Sequence, residues 1–166
     1  GATVCRRGKP RCAQCPVAED CRARIEDRTA ELPVRRRRKA RPVRERVLLW
    51  LEDGEGNLFL EKRPPSGIWG GLASLPVCES IDGVESRLAE LGMQRIGDWD
   101  SLGRLRHAFS HFELAAEVQG APVSPAAVTE LSGEWHAIER LVSEPPVGLP
   151  APVQRLIRER GAPAFG

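Results

Sequence analysis

No apolar run in this sequence exceeds five residues, Val47 to Leu51. A membrane-spanning helix needs about 20, so none is expected. No basic-then-apolar leader opens the chain, and a cytosolic location is the expectation. Histidine is scarce, with 3 in 166 residues, and none lies near the main group of cysteines. Internal repeats are absent, and the only biased stretch is Arg35-Arg36-Arg37-Arg38-Lys39. At about 150 residues per domain, the length allows one core and an appendage rather than two large domains.

What is present is unevenly spread. The formal charge is only +2, yet residues 1–46 hold 15 Lys and Arg against 6 Asp and Glu, while residues 47–166 hold 10 against 17. A basic front on an acidic body points to an anionic partner at the front. Nucleic acid comes before an acidic membrane surface, because the arginine run carries no large apolar residues on an amphipathic helix. Four of the 5 cysteines, Cys5, Cys12, Cys15 and Cys21, fall within 17 residues, and Cys78 stands alone. Such crowding without an export signal argues for metal binding over disulfides.

Three segments separate by composition. Residues 1–25 are the cysteine loop. Residues 26–46 hold two prolines, many arginines and almost nothing apolar. Nothing there offsets the entropy of ordering it alone, so a linker is expected, with Arg41, Arg44 and Arg46 adding to its attraction for DNA. Residues 47–163 are the part able to build a core. Val47–Leu51 and Leu58–Leu60 read as strands joined by the glycine-rich stretch 53–57. Val84, Leu88 and Leu91 recur at helical spacing before Gly92. Residues 102–109, 112–118 and 135–138 read as strands, and Pro152, Val153, Leu156, Ile157 and Gly161 mark a last helix. The expected class is α+β, a mixed sheet with flanking helices.

The cysteine spacing is Cys-x6-Cys-x2-Cys-x5-Cys. A structural zinc site usually shows two knuckles, and only Cys12 and Cys15 make one. Four thiolates from one loop suit a cubane cluster, with zinc and an unliganded loop as the alternatives. Arg6, Arg7, Lys9 and Arg11 sit between the ligands. They balance the charge of a thiolate-held cluster, contact phosphates, or do both.

The stretch Arg106-His107-Ala108-Phe109-Ser110-His111-Phe112 has an informative phase. Leu105 and Phe109 share an odd register, whereas Phe112, Leu114, Ala116 and Val118 share an even one. A one-residue slip flips every side chain to the other face of a sheet. A turn at 109–111 between two strands avoids exposing either apolar set. It leaves an aromatic, a hydroxyl and an imidazole at a loop tip. A second stretch, Arg63-Pro64-Pro65-Ser66-Gly67-Ile68-Trp69-Gly70-Gly71-Leu72, reads mainly as a tight, core-filling loop.

These stretches carry a family resemblance. The cysteine spacing resembles the iron–sulfur loop of the endonuclease III and MutY DNA glycosylase families. Residues 63–71, Phe109-Ser110-His111-Phe112 and the tail Pro146-Val147-Gly148-Leu149 resemble the C-terminal domain of MutY-type adenine DNA glycosylases, which has a Nudix-like fold. The resemblance implies a 4Fe–4S cluster on Cys5, Cys12, Cys15 and Cys21. It implies that Phe109, Ser110 and His111, supported by His107, read 8-oxoguanine opposite adenine in double-stranded DNA. The implied protein is a bacterial, cytoplasmic, monomeric enzyme of base excision repair. Its catalytic carboxylates belong to a helical domain expected before Gly1, so no residue here is given a catalytic role.

Two other readings stand beside it. A Nudix pyrophosphohydrolase needs several magnesium-binding carboxylates on one helix face. In the helix near 85–92, Leu88 and Leu91 stand where such carboxylates are wanted. An iron–sulfur redox carrier would not need so basic a loop joined to a second recognition loop.

Overall fold

The structure is a computed structural model that describes residues 3–6, 8–32, 40–125 and 132–161. The arginine run at 35–38 and Arg7 lie outside the described residues. Two compact units divide the chain, residues 1–40 and residues 41–166.

The first unit has little regular structure. A 3-10 turn covers Cys12–Gln14, and α1 spans Arg22–Ile25. Residues 26–32 fold back on this unit rather than trailing away. Arg28 N–H donates to the Ala23 carbonyl at 2.7 Å, and Leu32 N–H to the Arg28 carbonyl at 3.3 Å.

The second unit is a mixed sheet between helices. Its strands are β1 (Val43–Glu52), β2 (Asn57–Lys62), β3 (Ala73–Ser74), β4 (Val77–Cys78), β5 (Met93–Arg95), β6 (Asp100–Ala108), β7 (Glu113–Pro125) and β8 (Gly133–Ala137). The path through the sheet is β3-β2-β1-β7-β5, with β4 on β1, β6 on β7 and β8 on β2. Strands β1 and β7 run parallel from Val43 opposite Glu113 to Glu52 opposite Pro122. The other pairings are antiparallel.

The apolar run 47–51 is explained by this central place. A parallel strand covered on both faces needs apolar residues on both. Leu48 and Trp50 face one core with Leu105, Leu114, Ala116 and Val118. Helices α3 (Ile138–Ser143) and α4 (Ala151–Gly161) close that core through Leu141, Val153 and Ile157. Val47, Leu49 and Leu51 face a second core, closed by α2 (Val84–Glu90) through Val84 and Leu88.

The stretch expected as a linker is therefore shorter among the described residues. Residues 43–46 belong to β1, because β7 supplies a partner for their backbone. Their composition gave no hint of that partner. Ile138, which the sequence reads as a strand end, instead opens α3, because Leu141 and Val142 turn with it onto the first core.

Candidate nucleic-acid interface

Strands β6 and β7 form a hairpin in which Leu105 faces Ala116, His107 faces Leu114 and Ala108 faces Glu113. Phe109 N–H donates to the Phe112 carbonyl at 2.9 Å, leaving Ser110 and His111 as the turn. This geometry accounts for the change of register. Directly opposed residues share a face of the sheet, so odd positions of β6 meet even positions of β7. Leu105, Ala116 and Leu114 thus enter one core, and Phe109 and Phe112 extend its edge.

The tip has an aromatic base and a polar crown. Phe109 and Phe112 stack with ring centroids 4.5 Å apart. His107 meets Phe109 edge to face at 4.6 Å. The Arg44 guanidinium lies over the Phe112 ring, 4.3 Å from its centre. Such a contact holds a cation at an exposed site by about 0.5–1 kcal/mol. Ser110 and His111 are exposed, whereas His107, Phe109 and Phe112 are half-buried. Phe109 is therefore part anchor: it stacks on Phe112 and packs against the first core. Arg106 pairs with Glu113 at 3.1 Å on the solvent side of the hairpin.

The loop 63–72 closes tightly. Arg63 N–H donates to the Leu72 carbonyl at 2.8 Å, and Gly71 N–H to the Pro64 carbonyl at 3.1 Å. A Cβ at Gly70 would stand 2.4 Å from the Pro65 carbonyl oxygen, so glycine is required there. Ile68 and Leu72 pack on the first core. Trp69 is buried, and its ring centroid lies 6.2 Å from His107 and 6.3 Å from Phe109.

In the first unit, Cys5, Cys12, Cys15 and Cys21 line one cavity of about 50 Å³. Leu32, Pro10 and Val4 complete its mainly apolar wall. The donor set suits a thiolate-held iron–sulfur group in kind and number. As they stand, no three His, Cys, Asp or Glu side chains among the described residues converge closely enough to hold a metal ion.

Cys78 is different in kind. It is 6% exposed in the second core, and burial pushes its thiol up to about 11 from 9.0, against the pull of Arg87. The fold thus favours the neutral thiol. That contribution is complete below pH 9 and is lost as the pH climbs through 11. Iodoacetamide at pH 8 is expected to modify the four loop cysteines in cluster-free protein and spare Cys78 until denaturant is added. Mass spectrometry of the digested protein reads the result, and rapid labelling of Cys78 would contradict it.

The helix that a hydrolase would use for metal is built otherwise. Leu88 is 2% exposed and Leu91 1%, both committed to the second core. Arg87 pairs with Glu61 and with Glu90, the latter at 2.8 Å. Ser132 Oγ donates to the same Glu61 oxygen at 2.8 Å. Glu61 and Arg87 lie 26 residues apart in sequence, and their pairing left no local signal.

The NUDIX domain family matches residues 47–159. The chain is 26% identical over 159 residues to the adenine DNA glycosylase of Buchnera aphidicola subsp. Acyrthosiphon pisum, covering 95% of this chain and 44% of that protein. The same enzyme from Buchnera aphidicola subsp. Baizongia pistaciae is 21% identical over the same shares. The chain thus spans less than half the length of these relatives. In structure it resembles the MutT protein of Methanosarcina mazei Go1, with a TM-score of 0.59 at 20% identity over 74% of this chain and 95% of that one. It also resembles the C-terminal domain of mouse MUTYH, solved in complex with human PCNA, with a TM-score of 0.56 at 17% identity over 69% of this chain and 84% of that one. The chain belongs to the NUDIX domain family, and over nearly its whole length it resembles the C-terminal portion of MutY-type adenine DNA glycosylases.

Proposed function

We propose that this chain is the lesion-recognition portion of an adenine DNA glycosylase, binding duplex DNA and reading 8-oxoguanine opposite adenine. The observation that carries the reading is the two-residue tip of the β6–β7 hairpin. It presents exposed Ser110 and His111 above a stacked aromatic pair, with Arg44 held on the outer ring. The Ser110 hydroxyl can donate to or accept from the altered edge of the base. Phe109 offers an edge beside the stack, and His107 supports it from below. Arg41, Arg44 and Arg46 lie at the start of the same unit and supply phosphate contacts, which position the protein without reading sequence.

The chain divides functionally into a cluster loop, a basic connector and a reader domain. Cys5, Cys12, Cys15 and Cys21 would hold a 4Fe–4S cluster. When bound, such a cluster cross-links the loop and brings electron-transfer capacity of its own. The loop's own work is to present Arg6, Lys9 and Arg11 to phosphate. No residue of this sequence is assigned the removal of adenine, and the proposed reader is monomeric, cytoplasmic and DNA-associated.

Two measurements test the proposal. Fluorescence anisotropy should show at least about tenfold tighter binding of this chain to a duplex with 8-oxoguanine opposite adenine than to one with guanine there. Equal affinities would overturn the lesion reading. Anaerobically purified full-length protein should contain about four irons per chain. One equivalent of zinc without visible absorption would overturn the cluster assignment.

A further inference from the structure

Trp69 is at odds with its surroundings. Its φ is +55°, in the left-handed region that bulky side chains rarely occupy. The residue is 7% exposed, and its indole N–H is buried without an acceptor among the described residues. Filling a core requires neither feature. Ile68, beside it, packs on the same core without a left-handed backbone. Strained backbone and unpaired buried donors persist where the surrounding structure imposes them, and they cluster at functional sites.

What the conformation achieves is placement. It sets the indole 6.2 Å from His107 and 6.3 Å from Phe109, measured between ring centroids. Those two rings meet each other edge to face, and Phe109 in turn stacks on Phe112. Gly70 lets the chain pass close to the Pro65 carbonyl, and Gly71, at φ +77°, completes the turn behind the indole. The loop 63–72 thus carries one large ring to the underside of the β6–β7 tip.

We propose that Trp69 is a positioning residue for lesion readout. It fixes the His107 and Phe109 rings, and through Phe109 the Ser110–His111 turn, without touching the base itself. The inference rests on the reading of this hairpin as the lesion reader.

The test compares the full chain with Trp69→Phe and Trp69→Leu, using two readouts. The first is the affinity ratio for duplexes carrying 8-oxoguanine or guanine opposite adenine. The second is the ring-proton shifts of His107 in the free protein, resolved readily among three histidines. Trp69→Leu is expected to lower the affinity ratio about fivefold or more while leaving the affinity for the guanine duplex within about twofold. Its His107 ring protons should lose the ring-current shift. Trp69→Phe retains a ring and should keep the ratio within about threefold of the parent, with a smaller His107 shift. A lowered melting temperature with an unchanged ratio would make Trp69 a core residue only and overturn the proposal. If Trp69→Leu does not fold, unchanged His107 resonances in Trp69→Phe overturn it instead. A parent chain with no lesion preference removes the hairpin reading, whereas unmoved His107 resonances remove the Trp69 inference alone.

Discussion

Replacing Ser110 and Phe109 together by alanine is expected to lower the preference for lesion-containing duplex by about tenfold or more, since a polar contact reading one base edge is worth roughly 1–3 kcal/mol. Affinity for undamaged duplex should stay nearly intact, because phosphate contacts carry it. The two positions contribute differently. Ser110 is exposed at the turn, so its loss removes only the hydroxyl. Phe109 packs on the first core and stacks on Phe112, so its loss also costs stability. A single Ser110→Ala variant separates the effects: it should melt with the parent and still lose part of the preference. Parallel losses on damaged and undamaged duplex would assign the tip to general DNA binding or to structure.

Arg87→Ala is expected to destabilise the second unit by about 3 kcal/mol, at the lower end of what breaking a buried pair costs, since Arg87 itself is partly exposed. The side chains of Glu61 and Arg87 are 7% and 24% exposed, and the variant leaves the Glu61 carboxylate with only Ser132 as its named partner. The second Glu61 oxygen is already buried without a partner among the described residues. Urea titration should show a lower midpoint with an unchanged slope. Replacing both Glu61 and Arg87 by leucine should recover most of the loss, because no buried charge then remains unpaired. A loss below about 1 kcal/mol for Arg87→Ala would show that water reaches Glu61 freely. The pair also bears on function. It sits beside Leu88, which with Leu91 is committed to the second core, so these two positions supply no magnesium-binding carboxylates.

The sequence reveals most where periodicity is local. The run 47–51 marks a doubly covered strand, and the spacing of Val84, Leu88 and Leu91 marks α2. The phase change between Leu105 and Phe112 locates the hairpin turn, because side-chain alternation alone demands it. Contacts that depend on distant partners are not legible in this way. Strand β1 begins at Val43 only because β7 lies beside it. The left-handed Trp69 and the Glu61–Arg87 pair arise from packing between elements far apart in the chain. The four cysteines are legible as a group, and the structure brings them around one cavity, but their spacing alone does not name the metal.

The most direct test follows the backbone amides of the chain as duplex DNA is added. Uniformly ¹⁵N-labelled protein is titrated with two duplexes that differ only in 8-oxoguanine or guanine opposite adenine. Amides of Arg44, Arg46 and the β6–β7 strands should move similarly with both, as phosphate contacts require. Ser110 and His111 should move differently, with larger shifts for the lesion. Identical shifts at Ser110 and His111 with the two duplexes, or lesion-dependent shifts confined to α2 and Glu61, would contradict it.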